Sequence, residues 1–117
     1  MHTWKYAFML LALAAPAFPQ EALVPEAFRG NWASSLALCG KDHDGSLTIT
    51  DRQVDFYASR GKVLSVKILG PKEIDVELES RGEGEVWINT RRFVLSVDGK
   101  AITNVMPSHQ LTRVKCG

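Results

Sequence analysis

Between Ser46 and Thr103 the apolar residues recur at every second position, and short turn signals divide the stretch into runs. A period of two is that of an extended strand, whose side chains point to opposite faces in turn. Wound as helix, the same residues would scatter their apolar groups over the whole surface. The stretch therefore has to fold as a series of strands, and the spacing of its turns fixes which strands face each other.

Leu47 and Ile49 share a face, Asp51-Arg52 turns the chain, and the return predicts Ile49 opposite Val54 and Leu47 opposite Phe56. Ser59-Arg60-Gly61 has the form of a three-residue hairpin loop with glycine at the left-handed position, setting Phe56 opposite Leu64 and Val54 opposite Val66. Across Gly70-Pro71-Lys72, Ile68 meets Ile74, Val66 meets Val76, Leu64 meets Leu78 and Lys67 meets Asp75. A slip of one residue would set valines against carboxylates, so this register is strongly specified. A loop from Ser80 to Gly84 then places Leu78 opposite Val86 and Val76 opposite Ile88. A further turn at Arg91-Arg92 brings Ile88 to Leu95 and Val86 to Val97, and Asp98-Gly99, a strong two-residue hairpin signal, brings Leu95 to Ile102. The expected inner row is Ile49, Val54, Val66, Val76, Ile88, Leu95 and Ile102. The other face is polar, from Thr48 and Asp55 through Glu77 and Glu79 to Ser96, with Tyr57, Val63, Trp87 and Val94 as exceptions. The fold expected is all-β: an antiparallel up-and-down meander of about eight strands, closed into a small barrel or twisted sandwich with a filled interior.

At 117 residues the chain has room for one domain. Met1 to Ala17 has the form of a secretory signal, with Lys5, an apolar run from Tyr6 to Ala15 and a small-residue Ala15-Pro16-Ala17 site. The run is shorter than the roughly 20 apolar residues a membrane span takes. The expected layout is a signal over 1–17, a flexible lead-in over 18–26 with Pro19 and Pro25, and one β-domain over 27–117. Of 14 basic residues Lys5 lies in the signal, leaving 13 against 13 acidic ones. A mature chain with no net charge gives no steering towards nucleic acid or an anionic membrane, so neither is an expected partner, and no membrane insertion is expected after signal cleavage.

The domain is expected to open with a strand at Phe28-Arg29-Gly30-Asn31-Trp32-Ala33. Phe28, Gly30 and Trp32 share a face there, with Trp32 large enough to fill one end of a small barrel. This Gly-x-Trp, followed by a meander and by Arg113 in the last strand, resembles the lipocalin and calycin-like barrels. The resemblance implies that Trp32 plugs the closed end and that Arg113 packs against it. In size and export the chain is also similar to the bacterial metalloprotease inhibitors, periplasmic barrels with an early Gly-x-Trp and one disulfide. That likeness implies an N-terminal trunk, here Phe18 to Arg29, entering a protease cleft. The bridge of that family spans a short stretch of middle strands, whereas Cys39 and Cys116 lie at opposite ends of this domain. The layout is similar, too, to small exported bacterial proteins to which no function attaches.

Two cysteines in an exported chain permit one bridge, Cys39 to Cys116, which would pin the last strand beside the segment that follows the first. No Cys-x-x-Cys or Cys-His cluster points to redox or metal chemistry. Lys41-Asp42-His43-Asp44-Gly45 invites a calcium reading, with Asp51 at the twelfth loop position, but Gly40 stands where the first carboxylate belongs and no helices flank it. A polar turn is the better reading. Asp75, Glu77 and Glu79 stand about 7 Å apart along one strand and suit a solvated face answering Lys67 better than a paired-carboxylate site. His43 and His109 have no motif that selects a nucleophile, and no phosphate loop, Gly-x-Ser-x-Gly or His-Glu-x-x-His occurs. The sequence thus calls for no enzyme activity, no metal and no cofactor.

Trp87 stands apart. The register puts it opposite Glu77 on the wet face, where an indole suits an interface anchor. A strand bulged after Gly84 would instead turn Trp87 inwards and Val86 and Ile88 outwards. On the first placement Trp87, Tyr57, Val94 and Arg91 or Arg92 form a contact patch, while Gly30, Trp32 and Arg113 are structural. The function expected is non-enzymatic binding in the periplasm or outside the cell, to a protein partner or envelope component. Inhibition of an exported hydrolase and carriage of a small ligand are the alternatives.

Overall fold

The computed structural model describes residues 23–117. The expected signal over 1–17 and the first residues of the expected lead-in, 18–22, lie outside that range. Eight antiparallel strands follow one another around a closed barrel: β1 Gly30–Ala33, β2 Leu47–Ile49, β3 Gln53–Phe56, β4 Ser59–Gly70, β5 Glu73–Gly82, β6 Glu85–Leu95, β7 Ala101–Val105 and β8 Gln110–Lys115. Closure comes from β8 returning to β1, with Trp32 opposite Lys115 and Ala33 opposite Val114. The bridge Cys39–Cys116 spans 77 positions of sequence and ties the long β1–β2 connection to the end of β8. Among the described residues no helix is long and apolar enough to cross a membrane.

One end of the barrel is sealed by apolar groups. Val24, Phe28 and Trp32 are buried together with Leu47, Ile49, Val54, Val66, Ile74, Val76, Leu78, Leu95 and Ile102. A single 3-10 turn, Glu26–Phe28, delivers Phe28 to this core, and the Trp32 indole N–H donates to the Phe28 carbonyl at 3.2 Å, so the ring is buried without an unpaired donor. The described end of the expected lead-in is docked on the barrel: the Val24 amide donates to the Asp51 carbonyl at 2.9 Å and Arg29 Nε donates to the Val24 carbonyl at 2.8 Å. The cation set over the Trp32 ring is Lys115, its cross-strand partner, with Nζ 5.3 Å from the centroid. Arg113, buried in β8, donates through Nε to the Gly45 carbonyl at 2.6 Å.

The pairs Leu47 with Phe56, Ile49 with Val54, Val66 with Val76, Lys67 with Asp75, Ile68 with Ile74 and Leu95 with Ile102 stand as the spacing predicts. Three expectations are corrected. Ser59-Arg60-Gly61 is not a loop but the start of β4: the chain turns at Tyr57-Ala58, so Phe56 faces Ser59 rather than Leu64, and Val54 faces Gly61 rather than Val66. Glycine is required at position 61 for packing, since a Cβ there would lie 2.9 Å from the Val54 carbonyl oxygen and 3.1 Å from a Leu78 methyl. Next, a register shift between Val63 and Ser65 sets Val63, not Leu64, opposite Leu78 and leaves Leu64 exposed. Finally, the β5–β6 turn is the two-residue Glu83-Gly84, with φ of 49° and 80°, and no turn occurs at Arg91-Arg92. Left-handed conformation at both turn residues matches the twist of a tight hairpin. The shorter turn moves Asn89, rather than Val86, opposite Leu78. That shift is odd, so the β6 side chains ahead of the expected turn, Glu85 to Thr90, change face: Ile88 leaves the inner row and Trp87 joins it, opposite Ser80.

Candidate binding site at the open end of the barrel

The short turn makes β6 longer than the barrel needs. It pairs with β5 along Glu85 to Val94, but with β7 only from Arg92, opposite Val105, to Leu95. Among the described residues, the strand from Glu85 to Arg91 therefore has a neighbour on one side only. In an antiparallel pair alternate residues direct both N–H and C=O away from the partner strand, so this segment presents a row of backbone donors and acceptors to its free side. Val86 and Ile88 stand on its outer face, 53% and 57% exposed. Edge strands of stable monomers are ordinarily blunted by charge, proline or a bulge. None of these interrupts Val86 to Thr90.

The inner face of the same segment carries Trp87, Asn89 and Arg91, continuing to buried Phe93 and Leu95. Ser80 Oγ donates to Asn89 Oδ1 at 2.8 Å across the hairpin. Deeper in, Arg91 Cζ lies 4.8 Å from the centroid of the Phe56 ring and Arg113 Cζ lies 5.7 Å from the same centroid. Phe56 in turn stacks on Phe93, with centroids 6.5 Å apart. One aromatic ring thus serves two guanidinium groups, each held by the ring's quadrupole. Burial pulls the pKa of both arginines below the usual guanidinium value, and the positive charge of Arg91 adds to the effect at Arg113. Three buried polar atoms here have no hydrogen-bond partner among the described residues: Arg91 Nε, Arg113 Nη1 and Asn104 Oδ1. Arg113 is 4% and Asn104 2% exposed. The ion pairs among the described residues are made by Arg81 with Glu79 and by Arg92 with Glu73 and Asp75, not by Arg91 or Arg113.

The residues expected to form one contact patch are divided by this geometry. Trp87 sits at the rim, 37% exposed, its ring 3.4 Å from where a Cβ on Gly82 would stand, and the Ala58 carbonyl crowds that same position. Tyr57, in the adjoining turn, is exposed at this rim. Arg91 points inwards. Arg92 and Val94 stand on the outer face, where Arg92 Nε donates to Asp75 Oδ1 at 2.8 Å and Nη2 to Oδ2 at 3.0 Å, a bidentate pair that holds the Asp75 carboxyl below its usual pKa. Gly30 and Trp32 lie in β1, and Gly30 has a φ of 134° with Lys115 packed against it. In the Lys41 to Gly45 turn, the Gly45 carbonyl accepts from Arg113, and a Cβ at Gly45 would run into Ser34 Oγ.

Phe56 and Asn104 were missed as site residues. Phe56 reads as one more apolar group of the inner row, and nothing in its spacing marks it as the platform for two cations. Asn104 did leave a signal: it alternates with Ile102 on β7 and so had to point into the barrel. Comparison of the chain with protein-family models, curated proteins and solved structures returns no significant match.

Proposed function

We propose that this chain is an exported, non-enzymatic binding protein of calycin-like build that takes a protein partner along the free side of β6. The observation that carries the reading is the run Glu85 to Arg91, which among the described residues pairs with β5 alone, with Val86 and Ile88 exposed beside it. An extended segment of a partner adds to such an edge as a further strand. Backbone hydrogen bonds supply affinity, and the alternate side chains, here Val86 and Ile88 outside and Trp87 inside, supply selectivity. Export is supported by the Cys39–Cys116 bridge, a feature of oxidising compartments, together with the signal-like run over 1–17.

The test is capture from a periplasmic extract on the immobilised mature protein, run beside the double variant Val86→Lys/Ile88→Lys. Charged outer positions leave the β5 ladder intact but blunt the edge. The expected outcome is a protein retained by the natural chain and at least tenfold less by the variant, with both showing the same thermal midpoint. Equal retention by the two would refute edge addition.

A further inference from the structure

Independently of that reading, we infer that the barrel interior holds a small carboxylate anion between Arg91 and Arg113. The warrant is chemical incompleteness. Two guanidinium groups face one Phe56 ring, and their buried Nε and Nη1 donors have no partner among the described residues. A buried, unpaired charge is costly, and buried charges in stable proteins are ordinarily paired or ligated. No carboxylate of the flanking strands can serve. Ile74, Val76 and Leu78 point into the core, so the alternating Glu73, Asp75, Glu77 and Glu79 stand on the outer face of β5, and Asp75 is engaged by Arg92.

The ligand class follows from the donors. Guanidinium groups are planar forks that match a carboxylate with two parallel N–H donors, and they stack on aromatic faces while doing so. Asn104, on β7 between the strands that bear the two arginines, adds an unpartnered acceptor. A carboxylate with a hydroxyl or amino group beside it would satisfy that atom as well as the donors. The β6–β7 ladder starts at Arg92, so it stops short of Arg91. Arg113 is anchored through Nε to Gly45, which leaves Nη1 for the ligand.

The mature, disulfide-bonded protein is titrated with acetate, lactate and inorganic phosphate against chloride at matched ionic strength. Binding is followed by calorimetry and by the arginine Nε–Hε resonances. Acetate and lactate are expected to bind one per chain and to move the Arg91 and Arg113 resonances, with lactate at least threefold tighter because its hydroxyl can donate to Asn104. Arg91→Gln is expected to weaken lactate binding tenfold or more, whereas Arg92→Gln, on the outer face, leaves it unchanged. Should Arg113→Gln fail to fold for want of its Gly45 bond, Arg91→Gln still decides, its fold being checked by amide dispersion. Absence of any effect beyond chloride, equal affinity in natural protein and Arg91→Gln, or phosphate binding more tightly than either carboxylate would overturn the assignment.

Discussion

Two residues show how single side chains set this barrel. Gly61 stands where β3 and β4 cross the core, and its missing Cβ is the space into which Leu78 packs. Gly61→Ala is expected to cost about 1–3 kcal/mol, as overpacking does, because one of the two contacts it meets is backbone and cannot swing aside. Urea midpoints of the two proteins check this. Asp75 carries the outer-face ion pair with Arg92, and its folded pKa lies below the ordinary value of 3.8. A carboxyl whose pKa is depressed on folding contributes stability above its unfolded pKa, and that contribution is lost as pH falls through the folded pKa. Stability measured between pH 7 and pH 2 should therefore drop more steeply below about pH 4 in the natural protein than in Asp75→Asn. Parallel curves for the two would show the pair to be energetically silent.

At the level of elements, hairpins whose turns obey ordinary turn chemistry were legible from the sequence. Asp98-Gly99 closes β6 onto β7 with Gly99 at a φ of 75° and with Asp98 accepting from Ser96 Oγ and the Lys100 amide. The β4–β5 register was fixed by valines that would otherwise face carboxylates. The β5–β6 hairpin was not legible, because Glu83 takes a left-handed φ of 49° that a non-glycine residue rarely adopts. Sequence favours a longer loop there, and that choice changes the parity of one strand. Through parity the error reached the site: it put Trp87 on the wet face, Ile88 in the core, and a turn where Arg91 continues inwards. Glu83→Asn, which suits a tight hairpin turn ahead of Gly84, should stabilise the protein by up to about 1 kcal/mol without changing the register. Thermal denaturation and an unchanged amide spectrum check both halves.

For the whole molecule the consequence is a barrel with two unlike ends. Val24, Phe28 and Trp32 stopper one end, while the other holds cations, an indole and a strand edge. The Cys39–Cys116 bridge joins the β1–β2 connection to the end of β8 and encloses most of the described chain in one loop. Reduction, or replacement of both cysteines by serine, should lower stability by about 2–4 kcal/mol, read from urea denaturation with and without reductant. The account rests on β6 leaving the barrel's hydrogen-bonded wall above Arg92. Residue-resolved amide exchange along β6 tests it most directly. The account predicts slow exchange from Arg92 to Leu95 and an alternation of fast and slow amides from Glu85 to Arg91, the fast ones facing the free side. Uniform protection from Glu85 to Leu95 in the isolated protein would contradict it.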